Sequence, residues 1–187
     1  MTHQMVPFLK RLRLSGILQT LDVRNQQAID EQWTYVEFLA RLLEDEVERR
    51  AQKQLRLRIR RAAINTTKTL EGFDFNFNPS INRQQVLDLS TCTWIRQKRN
   101  ALICGPTGVG KTHLAVGLGM KAAQAGYRVV FLTIAELIDQ LSKAFGEHHL
   151  DKKMRTLCQP KLLIIDEIGY LPLDQHASHF FFQVISR

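Results

Sequence analysis

Gly105-Pro-Thr-Gly-Val-Gly-Lys-Thr112 fits the pattern G-x-x-x-x-G-K-[ST] at every fixed position. Each fixed residue has a physical job. Gly105, Gly108 and Gly110 permit backbone angles that a side chain forbids. With Pro106, Thr107 and Val109 between them, consecutive N–H groups turn inward and wrap phosphates. A helix expected from Lys111 adds the positive end of its dipole. The Lys111 ammonium is placed for the β- and γ-phosphates, and the Thr112 hydroxyl for a Mg²⁺ ion. Upstream, Ala101-Leu-Ile-Cys104 reads as a short buried strand, the context that such a loop requires.

Downstream, the pattern alternates. The loop's helix is expected to run to about Ala125 and end at Gly126. Arg128–Thr133 reads as a strand, Ala135 to about Phe145 as a helix, and Asp151–Leu157 as another helical stretch. Leu162-Leu-Ile-Ile-Asp166 reads as a third strand, and Gln175 to about Ser186 as a last helix. Strands alternating with helices predict an α/β domain built on a parallel sheet. Asp166 and Glu167 close the third strand at the edge where open parallel sheets bind ligands. Asp166 is the candidate Mg²⁺ residue beside Thr112. Glu167 is the candidate base that polarises a water for attack on the γ-phosphate. An acid directly after the Mg²⁺ aspartate suits hydrolysis better than transfer to a second substrate. The sequence has no Asn-Lys-x-Asp element for guanine, so ATP is the expected nucleotide.

The first 66 residues differ in texture. They hold one glycine and one proline, and they read as helix: Val6–Leu14, a second from Ile17, and a third from Thr34 to about Ala63. Thr34 and Glu37 have capping-box spacing. Val36, Leu39, Leu42, Leu43 and Val47 repeat at three and four residues, which makes one face apolar. The acids Glu44, Asp45, Glu46 and Glu48 then give way to Arg49, Arg50, Lys53, Arg56, Arg58, Arg60 and Arg61. That run reads as a contact for DNA or an acidic partner, with a solvated helix end as the plain alternative. Residues 67–99 read as a linker and cover leading into the core at 100–187. Phe73-Asp-Phe-Asn-Phe77 is either a short strand or an extended cover packed on the following domain.

Composition sets the outer bounds. The 187 residues are 44% hydrophobic and 24% charged, close to the globular average. The formal charge of +8 and pI near 9.7 favour anionic partners. No apolar run is long enough to cross a bilayer, and the first ten residues lack a signal-peptide pattern, so no membrane association is expected. Cys92, Cys104 and Cys158 are odd in number and widely spaced, as in a reduced cytoplasm. Neither they nor the six histidines have metal-ligand spacing.

The phosphate loop, Gly126-Tyr-Arg-Val, Leu162–Asp174, Thr69–Gln85 and Phe182–Arg187 together resemble the IstB family. These are ATP-binding helpers of insertion-sequence transposition in the AAA+ group, related to the helicase loader DnaC. The resemblance implies a P-loop sheet of AAA+ type behind a small all-α domain. It implies ATP and Mg²⁺ as cofactors, and double-stranded DNA and a transposase as partners. It also implies homo-oligomer assembly in a full-length protein, with hydrolysis resetting the assembly. A DnaC-like helicase loader, or a remnant that binds nucleotide without turnover, are the competing expectations. Family members continue into a further strand with a γ-phosphate sensor, an arginine that reaches a neighbour's ATP, and a helical lid. The sequence is therefore expected to be a C-terminally shortened member with an incomplete sheet, leaving the edges of 101–104 and 162–166 open.

Overall fold

The computed structural model describes residues 2–169 and 174–186, so 170–173 of the Leu162–Asp174 signature lie outside the described residues, as does Arg187. By internal contacts the chain divides into Met1–Leu57 and Arg58–Arg187. The division falls inside a helix, and the residues expected as linker and cover belong to the second unit.

The first unit is helical, as its texture predicts. α1 spans Thr2–Arg11, α2 Ser15–Asp30, and α3 Tyr35–Arg61, the last crossing the division. Thr34 Oγ1 accepts from the Glu37 N–H at 3.2 Å, and the Glu37 carboxylate accepts from the Thr34 N–H at 2.7 Å. The capping box is thus formed. Leu9, Ile17, Leu21 and Leu42 make the core, with Leu14, Leu18 and Phe38 against it.

Gly16 is what allows α2 and α3 to touch. A Cβ there would sit 2.6 Å from the Glu46 Cα. The Glu46 carboxylate, buried at 4% exposure, accepts from the Gly16 N–H at 2.5 Å and the Ile17 N–H at 3.4 Å. It therefore caps the start of α2 from the neighbouring helix, where Leu14 offers no side-chain cap. Burial pushes this carboxyl up, but the Arg50 hydrogen bond and the two N–H donors outweigh burial and hold it below the ordinary value.

The apolar repeat on α3 does not all turn inward. Leu42 is buried, while Val36, Leu39, Leu43 and Val47 are exposed. A three-and-four spacing over a wide arc defines an apolar sector, and α2 and α1 cover only part of it.

The second unit holds α4 Arg83–Ser90, α5 Thr93–Arg96, α6 Lys111–Gln124, β1 Val129–Thr133, α7 Ile134–Gly146, α8 Leu150–Cys158, β2 Leu162–Asp166 and α9 Gln175–Ile185. β1 and β2 pair in parallel, from Val129 opposite Leu162 to Thr133 opposite Asp166. Both faces of this pair are covered, which explains the unbroken apolar run of β2. Leu163 and Ile165 pack on a core of Ile134, Leu137, Leu141, Met154, Leu157, Phe180 and Val184. Ile164 faces the other way, and its Cδ1 would lie 2.7 Å from a Cβ on Gly119 of α6.

One expected strand is absent. Residues 101–104 have no regular structure, and Leu102 is 80% exposed. A strand exists through its ladder, and no described residue pairs with this segment. Only Ile103 is tied down, against the cluster of Leu70, Phe73, Val86, Leu114 and Leu118. Among the described residues the sheet is thus a two-stranded parallel piece with β2 paired on one side. Residues 73–77 also form no strand. They are the extended cover, with Phe73 buried in that same cluster.

Candidate functional site

The loop at 105–110 leads straight into α6, and Gly110 is the residue on which it turns. Gly110 has φ +92° and stands as the N-cap of α6. A Cβ there would fall 2.7 Å from the Phe73 ring. Glycine is needed at this position for both the angle and the space. Gly108 has φ +81° with open space around it, so only the angle requires glycine there. No side chain caps the first turn of α6. Its N–H groups therefore point at the loop with the dipole behind them, the arrangement that attracts anions.

Lys111 folds back over its own loop. Its ammonium donates to the Gly105 carbonyl at 2.8 Å and the Pro106 carbonyl at 2.7 Å. The neighbouring Thr112 reaches the sheet: its Oγ1 donates to Asp166 Oδ2 at 2.7 Å. The other carboxylate oxygen of Asp166 accepts from the Glu167 N–H at 2.9 Å. Glu167 takes φ +62°, a left-handed angle that costs a non-glycine residue roughly 1 kcal/mol. The chain thereby turns sharply as it leaves β2, and the Glu167 side chain is exposed.

Lys111, Thr112 and Asp166 are thus brought to one place, with Glu167 at its rim. The hydroxyl and carboxylate pair is a hard-oxygen donor set, suited to Mg²⁺. Among the described residues no group of three His, Cys, Asp or Glu side chains converges. A cation at Thr112 and Asp166 would therefore complete its shell from phosphate oxygens and water, which is how Mg²⁺ is commonly held.

A second wall of the site was not legible from its motif. The His113 Nε2 lies 2.7 Å from the Thr69 carbonyl. The Phe73 ring stands edge-on to His113, with centroids 5.1 Å apart, and edge-on to Phe75 at 4.9 Å. Arg83 lies over Phe75 at 5.6 Å. Leu70 fills the space left by Gly117, and Glu71 pairs with Lys121. Lys121 beside Glu71 holds that carboxyl below its ordinary value. The segment 69–75 is thereby fastened along α6 from its first turn to its last. The sequence marks this wall by the Phe-x-Phe spacing, read as a strand or an extended cover, and by its place within the Thr69–Gln85 resemblance. His113 gives none, because its partner is a backbone carbonyl.

The basic run is only partly available to a partner. Arg49 binds Ser15 Oγ at 3.0 Å and the Gln19 side chain, and Arg50 pairs with Glu46 at 2.6 Å. Arg58 donates to the Ala123 carbonyl at 3.5 Å. Lys53, Arg56, Arg60 and Arg61 are exposed and make no ion pair among the described residues. No described helix is long and apolar enough to cross a membrane.

The sequence profile described as "IstB-like ATP binding protein" matches residues 8–187. A protein of Pseudomonas aeruginosa, named for ATP binding in insertion sequence IS21, is 37% identical over 185 residues, covering 99% of this chain and 70% of its own length. A counterpart named for insertion sequence IS5376 of Geobacillus stearothermophilus is 37% identical over 187 residues, covering 100% of this chain and 74% of its own. Another, named for IS232 of Bacillus thuringiensis subsp. berliner, is 36% identical over 183 residues, covering 98% and 73%. With a profile match across nearly the whole chain and relatives at this identity, the chain belongs to the family of IstB-like ATP-binding proteins.

Proposed function

We propose that this chain binds ATP with Mg²⁺ at residues 105–112, hydrolyses it, and acts as a DNA-bound helper of insertion-sequence transposition. The observation that carries the nucleotide reading is the 2.7 Å hydrogen bond from Thr112 to Asp166. It joins the end of the phosphate loop to the end of a parallel strand, where two hard oxygens meet.

In this reading the N–H groups of Gly105 and of residues 107–112 hold the phosphates, Pro106 having none to donate. The Lys111 ammonium exchanges its two loop carbonyls for phosphate oxygens, a swap from neutral to charged acceptors that favours binding. Thr112 and Asp166 hold Mg²⁺. The ion supplies neutralisation of the negative charge that builds on the phosphates. The Glu167 carboxylate, at the exposed rim, accepts a proton from a water aligned with the γ-phosphate. Its left-handed backbone fixes where that carboxylate leaves the strand.

Lys53, Arg56, Arg60 and Arg61 are the side chains assigned to DNA phosphates. The three relatives described above are each named for an insertion sequence, which supports transposition over helicase loading. A transposase and further copies of this chain are the proposed partners.

The test is phosphate release with ATP and Mg²⁺, with and without duplex DNA, for the native chain and Glu167→Gln. Turnover that DNA raises and that Glu167→Gln suppresses supports the reading. Release no faster than the buffer blank would withdraw hydrolysis and leave a nucleotide-binding module.

A further inference from the structure

The outward face of α3 carries two adjacent rows that the nucleotide chemistry does not use. Val36, Leu39, Leu43 and Val47 are 48–77% exposed. At 3.6 residues per turn they fall within an arc of about 80°. Glu37, Glu44 and Glu48 fall on a narrower arc of about 40° along one flank of that stripe. All three acids are exposed; Glu37 also accepts from the Thr34 N–H, and Glu44 makes an exposed pair with Arg41 at 3.4 Å that a partner's cation would have to replace. The opposite flank runs into Leu42 and Glu46, which are buried against α1 and α2. So α3 packs on its own unit with one sector and presents a second sector, apolar and edged with acid, to solvent.

We propose that this stripe docks an amphipathic helix of a partner protein whose apolar face is edged with Lys or Arg. The four apolar side chains repeat at the spacing by which one helix seats on another. The acid row supplies the charge preference. It stands out because the whole chain carries +8, so its general field attracts acidic segments, whereas this local row favours a basic one. A second copy fits the stripe poorly. Paired antiparallel about the middle of the stripe, the same flanks of the two helices meet, and Glu37 of one copy falls between Glu44 and Glu48 of the other. The site lies wholly within α3 and is independent of the nucleotide reading.

The test uses the full chain and two fluorescein-labelled helical peptides of about 18 residues, long enough to form a helix. Each has Leu on one face; one has Lys elsewhere and the other Glu. Anisotropy titration is expected to show the Leu/Lys peptide binding at least about tenfold more tightly. Leu39→Ser with Leu43→Ser should weaken it by about tenfold or more. Glu44→Lys with Glu48→Lys should abolish its advantage over the Leu/Glu peptide; both positions are exposed, so this variant tests the site even if the serine variant folds poorly. Equal binding of the two peptides, or no effect of either pair of substitutions, overturns the proposal. So does sedimentation showing a dimer that the serine variant dissolves, since the stripe would then belong to a second copy.

Discussion

Thr112 Oγ1 donates to Asp166 Oδ2 at 2.7 Å, joining residues 54 positions apart. This single bond fixes the phosphate loop's helix to the carboxyl end of β2. It also sets Lys111, one residue earlier, on the loop side of the same junction.

The Lys111 ammonium already has two acceptors, the carbonyls of Gly105 and Pro106. Removing it costs the charged contacts to phosphate, typically about 1.5–3 kcal/mol. Lys111→Ala should therefore weaken ATP binding by roughly 10- to 100-fold. It should leave thermal stability nearly unchanged, because the side chain is only half-buried. Competition against a fluorescent ATP analogue checks the first part and a melting curve the second.

Phe73 sits beneath Gly110 and edge-on to His113, so the cover segment and the loop share a wall. Phe73→Ala removes a buried aromatic ring, which costs on the order of 3 kcal/mol. The expected result is a lower urea midpoint together with weaker nucleotide binding. Gly110→Ala adds a clash to a left-handed angle and should weaken nucleotide binding more than Gly108→Ala, where the space is open. Equal effects of the two glycine substitutions would show that Phe73 does not constrain the loop.

The basic run divides by what each side chain touches. Arg56, Arg60 and Arg61 are exposed, while Arg49 and Arg50 are engaged within their own unit. Replacing Arg56, Arg60 and Arg61 with Gln should lower duplex DNA affinity. The slope of log K against log salt should flatten by up to about 0.9 for each lost phosphate contact. Arg50→Gln should act chiefly on stability, because it strips Glu46 of its charged partner. A salt slope unaltered by the triple substitution would assign the run to solvated helix surface.

The helical unit should lose stability in acid. The Arg24 hydrogen bonds hold the Asp45 carboxyl at about 2, below its reference value of 3.8. A carboxylate depressed in the folded state contributes stability that is complete above its unfolded value. That contribution fades as pH falls from about 4 through about 2. Urea midpoints read at Trp33, in a Trp94→Phe background, should fall over this window. Asp45→Asn should remove that part of the pH dependence.

Most of the second unit was legible because its signals are local. The loop motif and the apolar strands ending at Thr133 and Asp166 need only neighbouring residues, as does the Thr34–Glu37 box of the first unit. What the sequence leaves open concerns partners. Ala101-Leu-Ile-Cys104 has strand chemistry, but a strand needs a ladder that no described residue supplies. The repeat from Val36 to Val47 marks an apolar sector without saying what covers it. Arg49 and Arg50 look like free cations until α2 and Glu46 are placed beside them. His113 was invisible because a histidine bonded to the Thr69 carbonyl leaves no pattern.

Isothermal titration of ATP tests the junction of Thr112 and Asp166 most directly. The native chain should bind ATP substantially more tightly with Mg²⁺ than with EDTA. Thr112→Val and Asp166→Asn should each reduce that Mg²⁺-dependent gain while leaving metal-free binding nearly as it was. Native binding that is indifferent to Mg²⁺, or a full Mg²⁺ gain in both variants, would contradict the assignment of these two residues to the metal.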